Sequence, residues 1–285
     1  MSTDIVSGRG QRSVTANGIE IAYREVGDSS SGPPLVLLSG ALVSTGPRWA
    51  GSHAAHVDHL ERLGEHFRVI APDTRGAGAT VHAGGPAGFD VLAADVIGLI
   101  EALDLDRPAV AGFSEGGCTA THVALRRPDL IRAHVNHGGF DYFDPSAPAH
   151  QGLGPIFGGA PGATKADPDA AAATFESMGP PMSDLFTTMQ ADFDEAQGEG
   201  HWRAYLGQFF DRSAAPSGHG VDDLAALQVP TLVLVGDRDL FCSVELACAV
   251  YRAVPDAELA VVPGTDHEVN AGVIDQIIGF VSRHS

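Results

Sequence analysis

The stretch Val110-Ala111-Gly112-Phe113-Ser114-Glu115-Gly116-Gly117 decides the fold of this 285-residue chain. It joins an apolar run typical of a strand to a run compatible with a helix, and glycines stand on both sides of Ser114. A serine on a sharp turn between a strand and a helix has its hydroxyl held clear of the sheet. The first N–H groups of the helix then point toward the place where negative charge would form. The stretch therefore predicts that Ser114 is a nucleophile.

The rest of the chain alternates between strand-like and helix-like segments. An edge hairpin covers 12–26, and apolar runs typical of strands lie at 35–38, 67–72, 109–112, 133–136, 231–235 and 259–262. Helix-like segments lie at 54–64, 90–103, 116–127 and 271–283. This alternation predicts an α/β fold with a mostly parallel central sheet of about eight strands, covered by helices on both faces.

One long segment interrupts this alternation. From about 141 to 223 the chain is rich in Gly, Pro, Ala and acidic residues. Its apolar residues recur at near-helical spacing: Phe175, Met178, Met182, Leu185, Phe186, Met189 and Phe193. We expect an inserted, largely helical cap at 141–225, between two parts of one core at 1–140 and 226–285. The apolar stripe either packs the cap against the core or lines a substrate cleft.

Composition narrows the class of protein. The chain is 44% apolar and 19% charged, which is enough to build a core and too little charge for a disordered protein. A net charge of −19 argues against nucleic acid or an anionic membrane as a main partner. The sequence shows neither a secretory signal nor an apolar run near the roughly 18–20 residues of a membrane span. We expect a cytoplasmic protein with reduced thiols at Cys118, Cys242 and Cys248; its oligomeric state stays open.

A group of histidines raises the question of a metal site. His53, His56 and His59 recur every three residues in a segment that is predicted to be mainly helical, a spacing that can place ligands on one face. No carboxylate or cysteine elsewhere completes a convincing set, and a solvated helix face explains them as well. We therefore predict neither a metal nor another cofactor. His137, just past the run at 133–136, is expected to be structural.

Two later loops offer partners for Ser114. A serine hydroxyl is a poor nucleophile until a base takes its proton, and the base needs an acid to orient it. The loop Gly236-Asp237-Arg238-Asp239 follows the run at 231–235, and Pro263-Gly264-Thr265-Asp266-His267 follows the run at 259–262. Loops at the carboxyl ends of parallel strands meet at one edge of the sheet. His267 is therefore the candidate base, with Asp239 or Asp237 as the acid.

With these residues in the order Ser, Asp, His, the chain resembles the α/β-hydrolase fold family in its serine-nucleophile branch. The turn at 71–78 is similar to that family's Asp-x-Arg-Gly-x-Gly turn. The resemblance covers nearly the whole chain outside the cap. It implies that Ser114 attacks a substrate carbonyl, that His267 takes the proton, and that Asp239 rather than Asp237 orients the imidazole.

The resemblance also implies an oxyanion hole made of two backbone N–H groups. Glu115, which follows the nucleophile, would supply one, and Ala41 or Leu42 would supply the other. Ser39 stands where the family usually has histidine, so the turn that carries the second donor must be braced in another way. The carboxylate of Glu115 would oppose an oxyanion if it pointed inward, and we expect it to turn away or to bind a partner.

The expected function is hydrolysis of an ester, a lactone or a thioester of a small to medium apolar substrate through an acyl-enzyme. Related members of the family carry out C–C bond hydrolysis, haloperoxidase-type chemistry or cyclisation with the same residues, so these reactions stay open. A ligand-binding, receptor-like protein with little turnover is the alternative from another class. In each case the expected partner is a small molecule.

Overall fold

A computed structural model describes residues 11–43, 54–81, 87–140, 143, 167–180, 182–214 and 218–285 of the chain. Its centre is an eight-stranded sheet with the strand order β1-β2-β4-β3-β5-β6-β7-β8. The strands are β1 Gln11–Ala16, β2 Ile19–Val26, β3 Pro34–Leu38, β4 Arg68–Pro72, β5 Ala109–Phe113, β6 Ala133–His137, β7 Thr231–Gly236 and β8 Ala257–Val262. Strand β2 pairs antiparallel with β1 and β4, and the other pairings are parallel. The predicted fold class is confirmed.

Helices cover both faces of the sheet. In the described ranges they are α1 Ala54–Gly64, α2 Phe89–Ala102, α3 Glu115–Arg126, α4 Pro168–Met178, α5 Met182–Gln197, α6 His201–Ala214, α7 Val244–Ala253 and α8 Ala271–Arg283. A 3-10 turn at Val221–Ala226 leads into β7. The segments expected at 54–64 and 271–283 have the same bounds as α1 and α8, whereas α7 was not among the predicted helices.

The apolar runs of the central strands are buried on both faces. Successive side chains of a strand point to opposite faces, so Val110 belongs to one apolar cluster, with residues of α2, α3 and α7, while Ala111 belongs to a second cluster, with residues of α1 and α8. All five residues of β6 are buried. This two-sided burial explains why these strands read as continuous apolar runs, and it holds their carboxyl ends in a fixed arrangement.

Helices α4, α5 and α6, called here the insertion helices, lie in the chain between β6 and β7. Much of the apolar stripe is buried in a third cluster, together with Leu42 and Ala77 of the sheet domain. Met178, in contrast, is 48% exposed. The buried part of the stripe therefore packs the insertion helices. The cap boundaries at 141 and 225 stay a prediction.

Polar contacts also fix the insertion helices to the turn at 71–78. Gln197 donates from Nε2 to the carbonyl of Gly78 at 2.8 Å, and Nε2 of His201 lies 3.0 Å from the carbonyl of Gly76. The turn itself is held by a buried ion pair between Arg75 and Asp95. None of the described helices has the length and apolar character needed to cross a membrane.

Candidate active site

Ser114 lies on a strained turn between β5 and α3. Its backbone has φ 52° and ψ −122°, a conformation that costs a non-glycine residue about 1–3 kcal/mol. The N–H of Ser114 donates to the carbonyl of His137 at 2.8 Å. A Cβ at Gly112 would lie 2.0 Å from the carbonyl oxygen of Gly116, and one at Gly116 would lie 2.5 Å from the carbonyl oxygen of Ser39. Only glycine fits at both positions, because the backbone itself occupies the space.

His267 and Asp239 meet at the same edge of the sheet. Nδ1 of His267 lies 2.8 Å from Oδ2 of Asp239, and the other carboxylate oxygen accepts the backbone N–H groups of Phe241 and Cys242 at 2.8 and 2.9 Å. Burial opposes ionisation of Asp239, but His267 and these N–H groups outweigh it and lower the pKa of the carboxyl. A carboxylate in this place holds the proton of the imidazole on Nδ1 and leaves Nε2 as the acceptor.

The Ser114 turn lies next to this pair. The ring of Phe113, the residue before Ser114, is 4.7 Å from the ring of His267 between centroids. A Cβ at Gly138 would lie 3.1 Å from Oδ2 of Asp239 and 3.3 Å from Cε1 of His267. The three loops after β5, β7 and β8 therefore converge on one place.

Asp237, the rival acid, does not contact His267 among the interactions that the structure describes. Its side chain is exposed, and Oδ1 accepts the backbone N–H of Thr265 at 3.2 Å. Asp237 therefore braces the loop that carries His267, whereas Asp239 contacts the imidazole.

The turn after β3 lies against Ser114. A Cβ at Gly40 would be 3.4 Å from Cβ of Ser114. The N–H of Leu42 donates to the hydroxyl of Tyr205 on α6 at 3.0 Å, so it is engaged by an insertion helix. Ala41 is then the remaining donor of the two that the sequence suggested. The side-chain oxygen of Ser39 is buried without a hydrogen-bond partner, so this serine does not brace the turn.

The carboxylate of Glu115 is buried against Arg212 of α6. Glu115 is 1% exposed, and Nε and Nη2 of Arg212 each lie 2.7 Å from its Oε1. Nη1 of Arg212 donates to the carbonyl of Ala87 at 3.2 Å. The sequence led us to expect that Glu115 turns away or binds a partner, and the structure gives it a partner.

The histidines of the sequence analysis have separate environments. His137 is 1% exposed, and burial, with a smaller contribution from His267, lowers its pKa to about 3. Nε2 of His59 lies 3.1 Å from the carbonyl of Val269. His53 and the side chain of His56 lie outside the described residues. Within the described part of the chain, no group of three or more His, Cys, Asp or Glu side chains could hold a metal ion.

Sequence reasoning missed Tyr205 and Arg212. Both lie on α6 within an apolar stripe that includes Trp202, Leu206 and Phe209. An arginine in such a stripe must find a buried partner, because an unpaired buried charge is costly. A charged residue in an apolar stripe was therefore a signal available in the sequence, but it does not show which residue is the partner.

The comparisons with known proteins agree with this architecture. The model of the alpha/beta hydrolase fold family matches residues 33–271, and the chain belongs to that family. The chain is 28% identical to the putative carbamate hydrolase RutD of Rhizobium rhizogenes, over 82% of this chain and 86% of that protein. It is 26% identical to a putative non-heme chloroperoxidase of Synechocystis, over 91% and 92% of the two chains.

Other similarities are shorter or more distant. The match to RutD of Agrobacterium fabrum is 32% identical and spans 42% of this chain and less than half, 43%, of that protein. A variant of the meta-cleavage product hydrolase CumD from Pseudomonas fluorescens has the same fold, with a TM-score of 0.72 and 19% identity over 96% and 98% of the two chains. The comparisons thus show the family and the fold, but they do not show which bond the protein cleaves.

Proposed function

We propose that this protein is a serine hydrolase that cleaves an ester, a lactone or a thioester through an acyl-enzyme, with Ser114, His267 and Asp239 as its triad. The observation that carries the proposal is the 2.8 Å contact between His267 and Asp239 beside a serine held at a positive φ. Membership of the α/β-hydrolase family supports it.

In the first half-reaction, Ser114 Oγ attacks the substrate carbonyl while Nε2 of His267 takes its proton. The tetrahedral oxyanion receives hydrogen bonds from the backbone N–H groups of Glu115 and Ala41. The protonated imidazole then gives its proton to the leaving group, and the acyl group stays on Ser114. In the second half-reaction, His267 takes a proton from the water that attacks the acyl ester, and the protonated imidazole then returns this proton to Ser114 Oγ as the acid is released. The carboxylate of Asp239 stabilises the charged imidazole in both halves.

The surroundings of the site suit an uncharged acyl group. Phe113 and Phe241 pack on the ring of His267 at 4.7 and 4.8 Å between centroids, and Leu42 is buried on the opposite turn. Apolar walls with few polar groups are typical of pockets for small apolar ligands. We therefore propose a small to medium apolar substrate. A carbamate contains a carbonyl group that a serine could attack, as an ester does. Because the RutD relatives are named putative carbamate hydrolases, carbamates are included in the substrate test.

A fluorophosphonate probe separates this proposal from the receptor-like alternative. We expect prompt labelling of the wild type and none of Ser114→Ala. A matched control is Ser243→Ala, which changes a serine that caps α7 through the N–H of Leu246. Folded wild-type protein that resists the probe, or Ser114→Ala that is still labelled, would contradict the proposal.

The bond that is cleaved needs a substrate panel. We expect the highest kcat/KM among p-nitrophenyl esters of short to medium acyl chains, lactones and thioesters. Carbamates form one opposing arm, and vinylogous diketones, whose hydrolysis cleaves a C–C bond, form the other. A carbamate or a C–C substrate turned over faster than every ester would replace the ester assignment and leave the role of Ser114 unchanged.

A further inference from the structure

Two side chains of α6 contact the two segments that carry the proposed oxyanion donors. Tyr205 contacts the turn that carries Ala41, and Arg212 contacts Glu115. They are seven residues apart, which is close to two helical turns, so both project from one face of α6. A single helix outside the sheet thus touches the segments that carry both proposed donors.

The contact from Tyr205 fixes a strained turn. Leu42 has φ 66°, a left-handed conformation that its side chain disfavours, and its N–H donates to the hydroxyl of Tyr205 at 3.0 Å. Without that hydroxyl, the N–H of this buried residue would lack its partner, and the turn could relax to another conformation. Because Ala41 directly precedes Leu42, the direction of its N–H depends on this turn.

The hydroxyl of Tyr205 adds no charge to the site. Burial first, and then the neighbouring carboxylate of Glu115, raise the pKa of Tyr205 far above its ordinary value. The side chain is therefore a neutral phenol at neutral pH. It accepts the N–H of Leu42 without opposing an oxyanion.

The contact from Arg212 compensates a charge. The carboxylate of Glu115 is within one residue of the nucleophile, and in a buried site its negative charge would oppose the negative charge of a tetrahedral intermediate. The side chains of Glu115 and Arg212 are 2% and 1% exposed, so water screens neither. The guanidinium neutralises the carboxylate and holds it to one side, while the backbone N–H of Glu115 is left to the oxyanion.

Arg212 and Tyr205 also support each other. The guanidinium carbon lies 5.9 Å from the ring centroid of Tyr205 and 5.8 Å from that of Phe209, and the two rings are stacked at 6.4 Å. Packing of this kind restricts side-chain rotamers and lets the pair act as a rigid unit.

We propose that Tyr205 and Arg212 are positioning residues that fix the two oxyanion donors from α6, the first through the turn of Ala41 and the second through the charge of Glu115. This inference rests on the proposed function. It predicts that the insertion helices affect the stabilisation of the tetrahedral intermediate as well as substrate access.

The first test is Tyr205→Phe, which removes one oxygen atom and keeps the ring. We expect kcat for a p-nitrophenyl ester to fall roughly tenfold with little change in KM, because loss of a whole donor costs about 10²–10³-fold and here the donor is only misaligned. The affinity for butylboronic acid, which forms an anionic tetrahedral adduct with a serine hydroxyl, should fall by a similar factor. Tyr251→Phe, at a tyrosine that is 40% exposed, is the matched control.

The second test is a double-mutant cycle on the ion pair. Arg212→Met leaves a buried carboxylate uncompensated and should lower kcat roughly a hundredfold, within the range for a damaged oxyanion hole. Glu115→Gln/Arg212→Met removes both charges and should recover kcat to within about fivefold of the wild type. Arg203→Met on the same helix, where the arginine is exposed and pairs with Asp169, is the control.

The outcomes separate this inference from the proposed function. If the fluorophosphonate does not label the wild-type protein, both the proposed function and this inference are overturned. Labelled wild type with a folded Tyr205→Phe that keeps full kcat and boronate affinity overturns the positioning role alone. The positioning role is also overturned if the kcat of Glu115→Gln/Arg212→Met is no higher than that of Arg212→Met. It is overturned as well if the loss of activity follows the loss in melting temperature, with kcat and KM changing together. If Arg212→Met does not fold, the kcat and the boronate affinity of Tyr205→Phe still test the inference.

Discussion

The Ser114 turn and helix α6 lie against each other, but the sequence specifies them in different ways. The turn depends on neighbours in sequence: Gly112 and Gly116 leave room for the backbone, and Ser114 takes a positive φ between them. The contacts of α6 span long separations, 97 residues from Glu115 to Arg212 and 163 from Leu42 to Tyr205. Local patterns therefore single out Ser114 as the proposed nucleophile, whereas tertiary contacts determine what surrounds it. The first two comparisons set a residue of the proposed triad region against a position that should tolerate change.

The largest effect should come from Asp239→Asn. An amide cannot hold the charged imidazole and favours the wrong tautomer, so we expect kcat to fall about 10³–10⁴-fold, as the general behaviour of such triads suggests. Asp237→Asn should cost less than about threefold, since that exposed side chain only accepts the N–H of Thr265.

Kinetics of both variants with the same p-nitrophenyl ester check this prediction. Equal losses in the two variants would mean that the acid is misassigned. A large loss in Asp237→Asn alone would transfer the role to Asp237.

Two glycine substitutions compare the turn with the insertion helices directly. Gly112→Ala places a Cβ 2.0 Å from a backbone oxygen that cannot move without disturbing α3, and we expect a loss of about 3 kcal/mol or more in the free energy of unfolding. Gly207→Ala lies on α6, where apart from its chain neighbours and the backbone of the helix itself no atom comes within 4 Å of the new Cβ, and it should raise stability by about 0.5–1 kcal/mol.

Urea unfolding followed by circular dichroism measures both values. A Gly112→Ala protein as stable as the wild type would contradict the close crossing at this turn. A strongly destabilised Gly207→Ala would contradict the open space beside α6.

A decrease in pH should also lower the free energy of unfolding. Burial lowers the pKa of His134 and of His137 to about 3, and burial followed by the charge of His219 lowers that of His122 to about 4. Their unfolded pKa is about 6.5, so between these values the unfolded chain binds more protons. The stability is complete above pH 6.5 and is lost as the pH falls toward the folded pKa values.

Each such histidine should contribute a slope of up to about 1.4 kcal/mol per pH unit below pH 6. Urea unfolding at pH 7.0 and pH 5.5 measures the loss. His122→Phe, whose new ring would lie between those of Phe89 and Phe143, should flatten the dependence by about one proton. A wild type equally stable at both pH values would contradict the neutral burial of these side chains.

The fold could be predicted from the sequence because the patterns that indicate its strands and turns lie within short segments of the chain. Continuous apolar runs marked the buried strands, and the runs at 231–235 and 259–262 correctly located the loops that carry Asp239 and His267. Helix α7 was not predicted, although Ser243 caps it through the N–H of Leu246, and a serine at this position is a start signal for a helix.

The surroundings of the site were less accessible. No residue near Leu42 in the sequence indicates that its N–H faces a tyrosine on α6. At Arg212 the only signal in the sequence is that a charged residue stands within an apolar stripe. The choice between packing and cleft for residues such as Phe175 and Met189 needed their burial, which spacing alone does not give.

The central claim, an acyl-enzyme on Ser114, can be tested by trapping it. Wild-type protein mixed with p-nitrophenyl acetate, quenched in acid within milliseconds and digested, should yield the peptide around Ser114 with one acetyl group. The same peptide from His267→Ala should be unmodified. Rapid turnover by the wild type with no acetyl group on Ser114, or an equal amount of adduct in His267→Ala, would contradict the account.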